Sequence, residues 1–148
     1  MKNKTILFVC TGNTCRSPMA EFLLKNKLKL EGIKGYKVKS AGLDACDGEK
    51  INENSKKALK ELGVKVTGFK TTYASAMVLL SADLIVTMTA SHKSRIKNYP
   101  KVYTFNELTG VGEILDPYGM GLSEYLKTSY RLEKGVKEII KLIKKGEL

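Results

Sequence analysis

Residues 5–18 read TILFVCTGNTCRSP and carry the clearest fold signal in the chain. Residues 5–9 are apolar or β-branched, and they predict a short buried strand of the kind found in parallel sheets. Ser17 and Pro18 predict a helix start, because serine is a favoured N-cap and proline is favoured at the first helical position. The polar segment between them therefore lies at the carboxyl end of a strand, where α/β proteins bind ligands.

The rest of the chain alternates strands with helices in the same way. Gly135 lies inside the last helix and costs about 1 kcal/mol relative to alanine, which leaves the continuity of that helix open. The alternation predicts one α/β domain over residues 1–148, a four-stranded parallel sheet with helices on both faces. Strands are predicted at 5–9, 36–41, 84–88 and 101–105, and helices at 18–32, 52–62, 74–82, 91–98 and from Tyr125 onwards.

The chain is basic, with 26 lysines and arginines, 15 acidic residues and a net charge of +11. Such a charge suits nucleic acid, an acidic membrane or phosphorylated protein. No apolar run approaches the ~18 residues of a membrane span, and no aromatic–basic pattern indicates RNA stacking. The start lacks a signal-peptide pattern, and the number of cysteines, three, is odd. We therefore expect a cytoplasmic monomer with reduced thiols and neither membrane nor nucleic acid as partner.

Five residues, Thr11 to Cys15, separate Cys10 from Arg16. A loop this short can turn its backbone N–H groups inward as a nest for an anion, and the following helix N-terminus adds its own. Gly12 and Asn13 both tolerate left-handed backbone. Arg16 can offer a bidentate fork to phosphate oxygens. The segment predicts a phosphate-binding loop after the first strand, able to hold inorganic phosphate or sulfate.

Cys10 lies at the base of this loop and is the candidate nucleophile. Positive charge from Arg16 and the helix N-terminus favours its thiolate form, and the Ser17 hydroxyl can donate to the sulfur. Attack of that sulfur on phosphorus would give a phosphocysteine. The leaving group then needs an acid, for which Asp116 is the best candidate because Pro117 holds it in extended geometry.

Three further residues are harder to assign. Tyr118 either forms a wall of the pocket or is an ordinary half-buried tyrosine. Cys15 either packs beneath the loop or is a resolving thiol that traps oxidised Cys10 as a disulfide. The single histidine, His92, is expected at the surface.

The segments VCTGNTCRSPMAE at 9–21, Ser40-Ala41-Gly42 and Asp116-Pro117-Tyr118 together resemble the low-molecular-weight protein tyrosine phosphatase family. The resemblance covers nearly the whole chain, and it implies a four-stranded parallel sheet and no metal or organic cofactor. It implies that Cys10 is the nucleophile, that Arg16 clamps the phosphate, and that Asp116 protonates the leaving group and then activates water.

The resemblance also assigns the remaining residues of the loop. It implies that Asn13 and Ser40 pair to hold the loop in shape, and that Ser17 is the hydroxyl partner of the thiolate. It further implies that phosphate is bound by the backbone amides of Thr11, Gly12, Asn13, Thr14, Cys15 and Arg16.

The substrate is suggested by the residue after the nucleophile. Tyrosine-specific members usually carry leucine or isoleucine there, whereas CTGNTCRS, with Thr11, resembles the bacterial protein-arginine phosphatases. A smaller side chain with a hydroxyl suits a guanidinium, and Asp116 could pair with it, as could Asp44. We therefore predict phosphoarginine in proteins as the substrate, with phosphotyrosine as the alternative.

Other classes fit the residues less well. Thioredoxin-coupled arsenate reductases share this fold and a similar loop, but they need further cysteines near the third strand, and residues 81–89 contain none. A phosphate-binding module without hydrolysis would not need Asp116. A nucleic-acid-binding protein would share the charge, yet no such motif is present.

Overall fold

A computed structural model describes residues 3–148, which form an α/β fold around a sheet of four parallel strands. The strands are β1 (Lys4–Cys10), β2 (Tyr36–Gly42), β3 (Leu84–Thr87) and β4 (Val102–Thr104), in the spatial order β2-β1-β3-β4. From β1 the chain passes first to one neighbour and then to the other, so the strand order reverses beside β1. Ligand sites of α/β sheets lie at such a reversal, next to the carboxyl ends of the strands.

Six helices are formed by the described residues. They are α1 (Arg16–Leu30), α2 (Glu53–Glu61), α3 (Ala76–Leu80), α4 (Ala90–Arg95), α5 (Phe105–Thr109) and α6 (Leu122–Lys144). The predicted fold class is therefore confirmed. None of these helices is both long enough and apolar enough to span a bilayer.

Helix α5 is not predicted by the sequence pattern, which places Phe105 at the end of the last strand. The strand ends at Thr104, whose side chain accepts a hydrogen bond from the Glu107 backbone N–H at 2.9 Å. The Glu107 carboxylate accepts the Thr104 backbone N–H at 2.7 Å. This reciprocal capping box starts the helix at Phe105 and turns the aromatic ring into the core.

The core lies on both faces of the sheet because successive side chains of β1 alternate. Ile6 and Phe8 face a cluster that includes residues of α1, α2 and α6, whereas Leu7 and Val9 face a second cluster. The second cluster includes Leu79 of α3. The two clusters bury β1 from both faces of the sheet. Packing from two sides therefore holds the carboxyl end of β1, where the loop begins.

Helix α6 runs without a break through Gly135, which settles the question of its continuity. An ideal Cβ on Gly135 would lie 2.1 Å from the Cε2 and Cζ atoms of the buried Phe105 ring. The glycine therefore allows α6 to approach α5 closely, and the contact explains a residue that helix propensity alone disfavours.

We predict that Gly135→Ala lowers the free energy of unfolding by about 2 kcal/mol, as overpacking of a filled core does. Helix propensity alone predicts the opposite, a gain of about 1 kcal/mol. Urea unfolding measures the change, with the exposed neighbour Lys134→Ala as control, expected to stay within about 0.5 kcal/mol of the wild type. A Gly135→Ala protein more stable than the wild type would contradict the predicted contact.

Candidate active site

Helix α1 begins at Arg16, and Cys15 occupies the N-cap position without a side-chain cap. The prediction of Ser17 as N-cap and Pro18 as first helical residue is therefore wrong by two positions. Ser17 does not cap because its Oγ lies 2.9 Å from Cys10 Sγ, inside the loop. Pro18 fits because N–H groups of the first turn have no acceptor within the helix. The first turn thus keeps N–H groups that can serve an anion.

The loop from Thr11 to Cys15 also keeps its backbone donors. Within residues 3–148, no N–H of Gly12, Asn13, Thr14 or Cys15 donates a hydrogen bond to another backbone group outside the regular elements. Asn13 has a φ of 57°, the left-handed conformation that helps to form an anion nest. Gly12 does not have a positive φ, so its tolerance of left-handed backbone is not used in this loop.

Cys10 lies at the base of the loop with only 2% of its surface exposed. Its neighbour Ser17 Oγ accepts a hydrogen bond from Asn13 Nδ2 at 2.9 Å, which leaves the hydroxyl hydrogen of Ser17 to be donated elsewhere. The Cys10 sulfur is 2.9 Å away, closer than the alternative acceptor, the Ala41 carbonyl at 3.4 Å. The structure therefore brings the predicted hydroxyl partner into contact with the sulfur.

Asn13 is fully buried and holds the loop from its side chain. The second hydrogen of its amide goes to Ser40 Oγ at 2.9 Å, and its Oδ1 accepts the Thr72 backbone N–H at 2.8 Å. Ser40 Oγ then donates to Glu21 Oε1 at 2.6 Å. The structure thus brings Asn13 and Ser40 together as predicted, and it adds Glu21 and Thr72, which the sequence analysis did not assign.

Gly42 at the end of β2 supports the loop by its lack of a side chain. An ideal Cβ there would lie 2.6 Å from the Thr11 carbonyl oxygen and 2.8 Å from the Asn13 backbone nitrogen. Both atoms belong to the loop backbone and cannot rotate away. The Ser40-Ala41-Gly42 segment therefore contacts the loop in two ways. Ser40 contacts it through its side chain, and Gly42 contacts it through its backbone.

We predict that Gly42→Ala weakens the binding of inorganic phosphate and lowers the free energy of unfolding by about 2 kcal/mol or more, because backbone must move. Calorimetric titration with phosphate and urea unfolding measure the two effects. Gly121→Ala is the matched control, since its Cβ would meet nothing within 4 Å. Unchanged phosphate affinity in Gly42→Ala would show that the loop does not depend on this approach.

Arg16 is buried and held by two hydrogen bonds and one longer ion pair. Its NH1 donates to the Ile114 carbonyl at 3.0 Å and its NH2 to Thr11 Oγ1 at 3.3 Å. The same NH2 lies 3.6 Å from Asp116 Oδ2, and the Asp116 side chain is 48% exposed. The predicted phosphate ligand and the predicted acid are thus neighbours, one fixed in the protein and the other open to solvent.

Tyr118 follows Asp116 on this open segment. Its backbone N–H donates to Asp116 Oδ1 at 3.1 Å, which directs the carboxylate. The tyrosine is 70% exposed, so it is not an ordinary half-buried tyrosine. Its ring is free to contact a bound substrate beside Asp116.

Cys15 lies beneath the loop, where its sulfur is 3.3 Å from the Tyr125 hydroxyl. It is 4% exposed and belongs to the core cluster, as the packing interpretation expects. Burial raises the pKa of the Cys15 thiol, which disfavours the reactive thiolate. Cys10 and Cys15 are both free thiols, and the resolving role of Cys15 stays a prediction.

His92 is buried, with 6% of its surface exposed, so its predicted place at the surface is wrong. Its Nε2 lies 2.9 Å from Thr11 Oγ1 and its Nδ1 lies 3.1 Å from Thr89 Oγ1. Burial and the nearby cations Arg16 and Arg95 lower the pKa of His92 to about 4, so the imidazole is neutral at pH 7. The order of the elements is the one feature of the sequence that indicates this position, because β3 places the start of α4 at the sheet edge where the loop lies.

We predict that His92 makes the fold sensitive to acid. The unfolded chain takes up this proton near the ordinary pKa of 6.5, whereas the folded chain takes it up only near 4. Because the unfolded state binds more protons between these values, the free energy of unfolding falls as the pH is lowered through this window. The contribution is on the order of 1–3 kcal/mol by pH 4.

Urea unfolding between pH 7 and pH 4 measures this loss, with His92→Gln as the variant that cannot titrate. The variant should lose less stability over this range than the wild type. Since His92 is the single histidine, its imidazole NMR resonance gives the pKa directly. Equal pH slopes in both proteins, or a resonance that titrates near pH 6.5, would contradict the prediction.

Asp44, considered as a partner for a substrate guanidinium, is already paired with Arg95. The two oxygens of Asp44 accept from Arg95 NH1 and NH2 at 2.9 and 2.8 Å. This hydrogen-bonded pair lowers the pKa of Asp44. The Asp44 backbone N–H also donates to the Thr11 carbonyl at 2.9 Å, so the pair lies beside the loop. A substrate would have to displace Arg95 before it could use this carboxylate.

Known proteins share both this fold and this sequence pattern. A family model described as low molecular weight phosphotyrosine protein phosphatase matches residues 5–147. The protein-arginine-phosphatase of Bacillus subtilis (strain 168) is 37% identical over 147 residues, covering 95% of this chain and 97% of that protein. The low molecular weight protein-tyrosine-phosphatase PtpB of Staphylococcus haemolyticus (strain JCSC1435) is 34% identical over 132 residues, covering 86% and 91%.

One similar solved structure captures a modified active site. It is a YwlE arginine phosphatase, a mutant with a phosphorylated active-site serine, with a TM-score of 0.87 and 36% identity. The match covers 95% of this chain and 96% of that one. The chain described here belongs to the low molecular weight phosphotyrosine protein phosphatase family. The resemblance drawn from the loop, Ser40-Ala41-Gly42 and Asp116-Pro117-Tyr118 is therefore confirmed.

Proposed function

We propose that this chain is a cysteine-dependent protein phosphatase that removes phosphate from phosphoarginine side chains through a phosphocysteine at Cys10. The observation that carries the proposal is the pairing of Cys10 Sγ with Ser17 Oγ at 2.9 Å at the base of a loop whose N–H groups are unpaired. Arg16 and Asp116 lie together beside that loop, 3.6 Å apart. The proposed nucleophile, the proposed anion cradle and the proposed proton donor therefore lie close together.

In the first step, the Cys10 sulfur attacks phosphorus while the loop N–H groups and Arg16 hold the phosphoryl oxygens. These donors stabilise the charge that builds up in the transition state. An S–P bond forms, and the bond from phosphorus to the substrate nitrogen breaks with its electron pair going to nitrogen. Asp116 donates its proton to that nitrogen, so the arginine side chain leaves intact.

In the second step, Asp116 is a carboxylate and takes a proton from water. The water oxygen attacks phosphorus, the S–P bond breaks, and the Cys10 thiolate leaves, stabilised by the Ser17 hydroxyl. Inorganic phosphate remains in the loop as product, and the free enzyme is regenerated with Asp116 protonated. The half-exposed position of Asp116 suits this alternation because both substrate and water can reach it.

Two observations support phosphoarginine as the substrate. The Bacillus subtilis relative is named a protein-arginine-phosphatase, and it matches nearly the whole chain. The half-exposed Asp116 carboxyl group is open to the substrate, and its carbonyl oxygen can accept a hydrogen bond from the guanidinium of that substrate. Phosphotyrosine remains the second candidate, supported by the family description, by the PtpB relative and by the exposed Tyr118 ring next to Asp116.

The two threonines of the loop differ in how free they are to contact the substrate. The Thr11 hydroxyl is already engaged by Arg16 and His92, so its influence on the substrate passes through these residues. Among residues 3–148, the Thr14 hydroxyl has a single hydrogen-bond partner, the Cys15 sulfur at 3.6 Å. Thr14 is therefore a second candidate, beside Thr11, for the side chain that selects the substrate.

We further propose that phosphorylated proteins are the partners and that the enzyme works as a monomer in the cytoplasm. The three free thiols support a reducing location, because the proposed chemistry needs Cys10 as a thiol. The open Asp116 segment supports a protein substrate, since a side chain on a partner's surface can reach it.

Parallel kinetics on phosphoarginine and phosphotyrosine peptides test the proposal. We predict a higher kcat/KM for phosphoarginine in the wild type. Cys10→Ser should abolish turnover, and Asp116→Asn should lower kcat by about 10²–10⁴-fold, the usual contribution of a general acid–base group. Thr11→Val and Thr14→Val, which remove a hydroxyl at nearly constant volume, should each be measured for a change in the ratio of the two kcat/KM values.

Several results would count against this account. Turnover that survives in Cys10→Ser would contradict the mechanism. A wild type that prefers phosphotyrosine would contradict the substrate while leaving the mechanism intact. If neither threonine changes the ratio, the loop hydroxyls do not select the substrate, and the open Asp116 segment becomes the candidate.

A further inference from the structure

His92 is a buried imidazole that the proposed mechanism leaves unused, although it touches the phosphate loop directly. Its Nε2 is 2.9 Å from Thr11 Oγ1, a shorter contact than the 3.3 Å between Arg16 NH2 and the same oxygen. Thr11 therefore stands between a histidine and the arginine that is to bind phosphate.

The position of His92 is fixed from its other side. Thr89 caps α4, and its Oγ1 accepts the His92 backbone N–H at 3.3 Å. The same Oγ1 lies 3.1 Å from His92 Nδ1, so backbone and ring are held by one residue. Because the ring is neutral at pH 7, it places no additional positive charge beside Arg16. His92 can therefore hold Thr11 without repelling the guanidinium.

The Thr11 hydroxyl would otherwise be free to rotate away from Arg16. Threonine has three staggered rotamers about its Cα–Cβ bond, and a second hydrogen bond selects one of them. The bond to His92 selects the rotamer in which Thr11 Oγ1 accepts from Arg16 NH2. Arg16 then keeps two fixed acceptors, Thr11 Oγ1 and the Ile114 carbonyl, before any substrate arrives.

We propose that His92 is a positioning residue, which acts through the Thr11 hydroxyl to hold Arg16 where its guanidinium meets phosphate oxygens. The proposal rests on the proposed function for the role of Arg16. It assigns to His92 a contribution to phosphate affinity that involves no contact with the substrate.

The two nitrogens of the ring allow a matched pair of variants. In His92→Gln the side-chain amide can reach the place of Nε2 and can still bond Thr11. In His92→Asn the shorter amide reaches only the place of Nδ1 and can bond Thr89 but not Thr11. Both variants keep a polar side chain in the same cavity, so they differ mainly in the contact that the proposal invokes.

The experiment measures the dissociation constant of inorganic phosphate by calorimetry for wild type, His92→Gln, His92→Asn, Thr11→Val and the double variant His92→Asn/Thr11→Val. We expect His92→Asn and Thr11→Val each to weaken phosphate binding by about three- to ten-fold, the effect of one neutral hydrogen bond. His92→Gln should stay within about two-fold of the wild type. The double variant should bind no more weakly than Thr11→Val alone, because both changes remove the same link.

Melting temperatures separate this role from a general loss of stability. Thr104→Val removes a helix-capping hydroxyl that makes no contact with the loop, so it should lower the melting temperature and leave phosphate affinity unchanged. The proposal is overturned if folded His92→Asn binds phosphate as the wild type does. It is also overturned if the losses of His92→Asn and Thr11→Val add fully, or if His92→Gln is as weak as His92→Asn.

The binding measurement needs no turnover, so it can be separated from the proposed function. A wild type that binds phosphate but hydrolyses neither phosphorylated peptide would contradict the proposed function, while the His92 variants would still decide the positioning role.

Discussion

Hydrogen bonds from the Asn13 side chain hold the loop of the proposed active site in shape. The loop after β1 must turn its N–H groups toward one point, and Asn13 achieves this in a left-handed conformation with a φ of 57°. That conformation costs a residue with a side chain about 1 kcal/mol or more. Its amide offsets the cost with bonds to Ser17, Ser40 and the Thr72 backbone. The same amide donates to Ser17, so the shape of the loop and the surroundings of the Cys10 sulfur are fixed together.

The charged groups around the loop are arranged so that one cation, Arg16, is available to an anion. Arg16 is buried among neutral acceptors, the Ile114 carbonyl and the Thr11 hydroxyl, while Asp116 stands farther off at 3.6 Å. The neutral state of His92 and the pairing of Arg95 with Asp44 keep other charges from competing. Under the proposed function, a phosphate that entered the loop would meet a guanidinium already fixed in place, and its binding would require little reordering of that side chain.

The sequence was sufficient to predict the relative placement of candidate residues that are adjacent along the chain. Strand, loop and helix follow one another in residues 5–18, so their order alone places Cys10 at the carboxyl end of β1. Local reasoning failed where a tertiary contact competed with a local one. Ser17 has the chemistry of an N-cap, but its hydroxyl is drawn to the Cys10 sulfur, and the helix starts at Arg16 instead.

Contacts between distant positions could not be predicted from one sequence. His92 lies 81 residues from Thr11, and nothing in its local pattern distinguishes it from a surface histidine. Gly135 is unfavourable by helix propensity, yet the Phe105 ring leaves no room for a larger residue there. Phe105 itself faces α6 because a capping box at Thr104 ends β4 early, a local signal that the strand pattern concealed. In each case the fold decides which of two ordinary interpretations of a residue applies.

Detection of a phosphorylated enzyme intermediate would show whether phosphate passes through the sulfur of Cys10. Wild-type enzyme would be mixed with a phosphoarginine peptide, quenched during turnover within milliseconds to seconds and digested. Mass spectrometry would then locate the phosphate. The account predicts phosphate on the peptide that contains Cys10, formed and lost at rates that match turnover. Turnover without any phosphorylated enzyme, or phosphate on a different residue, would contradict it.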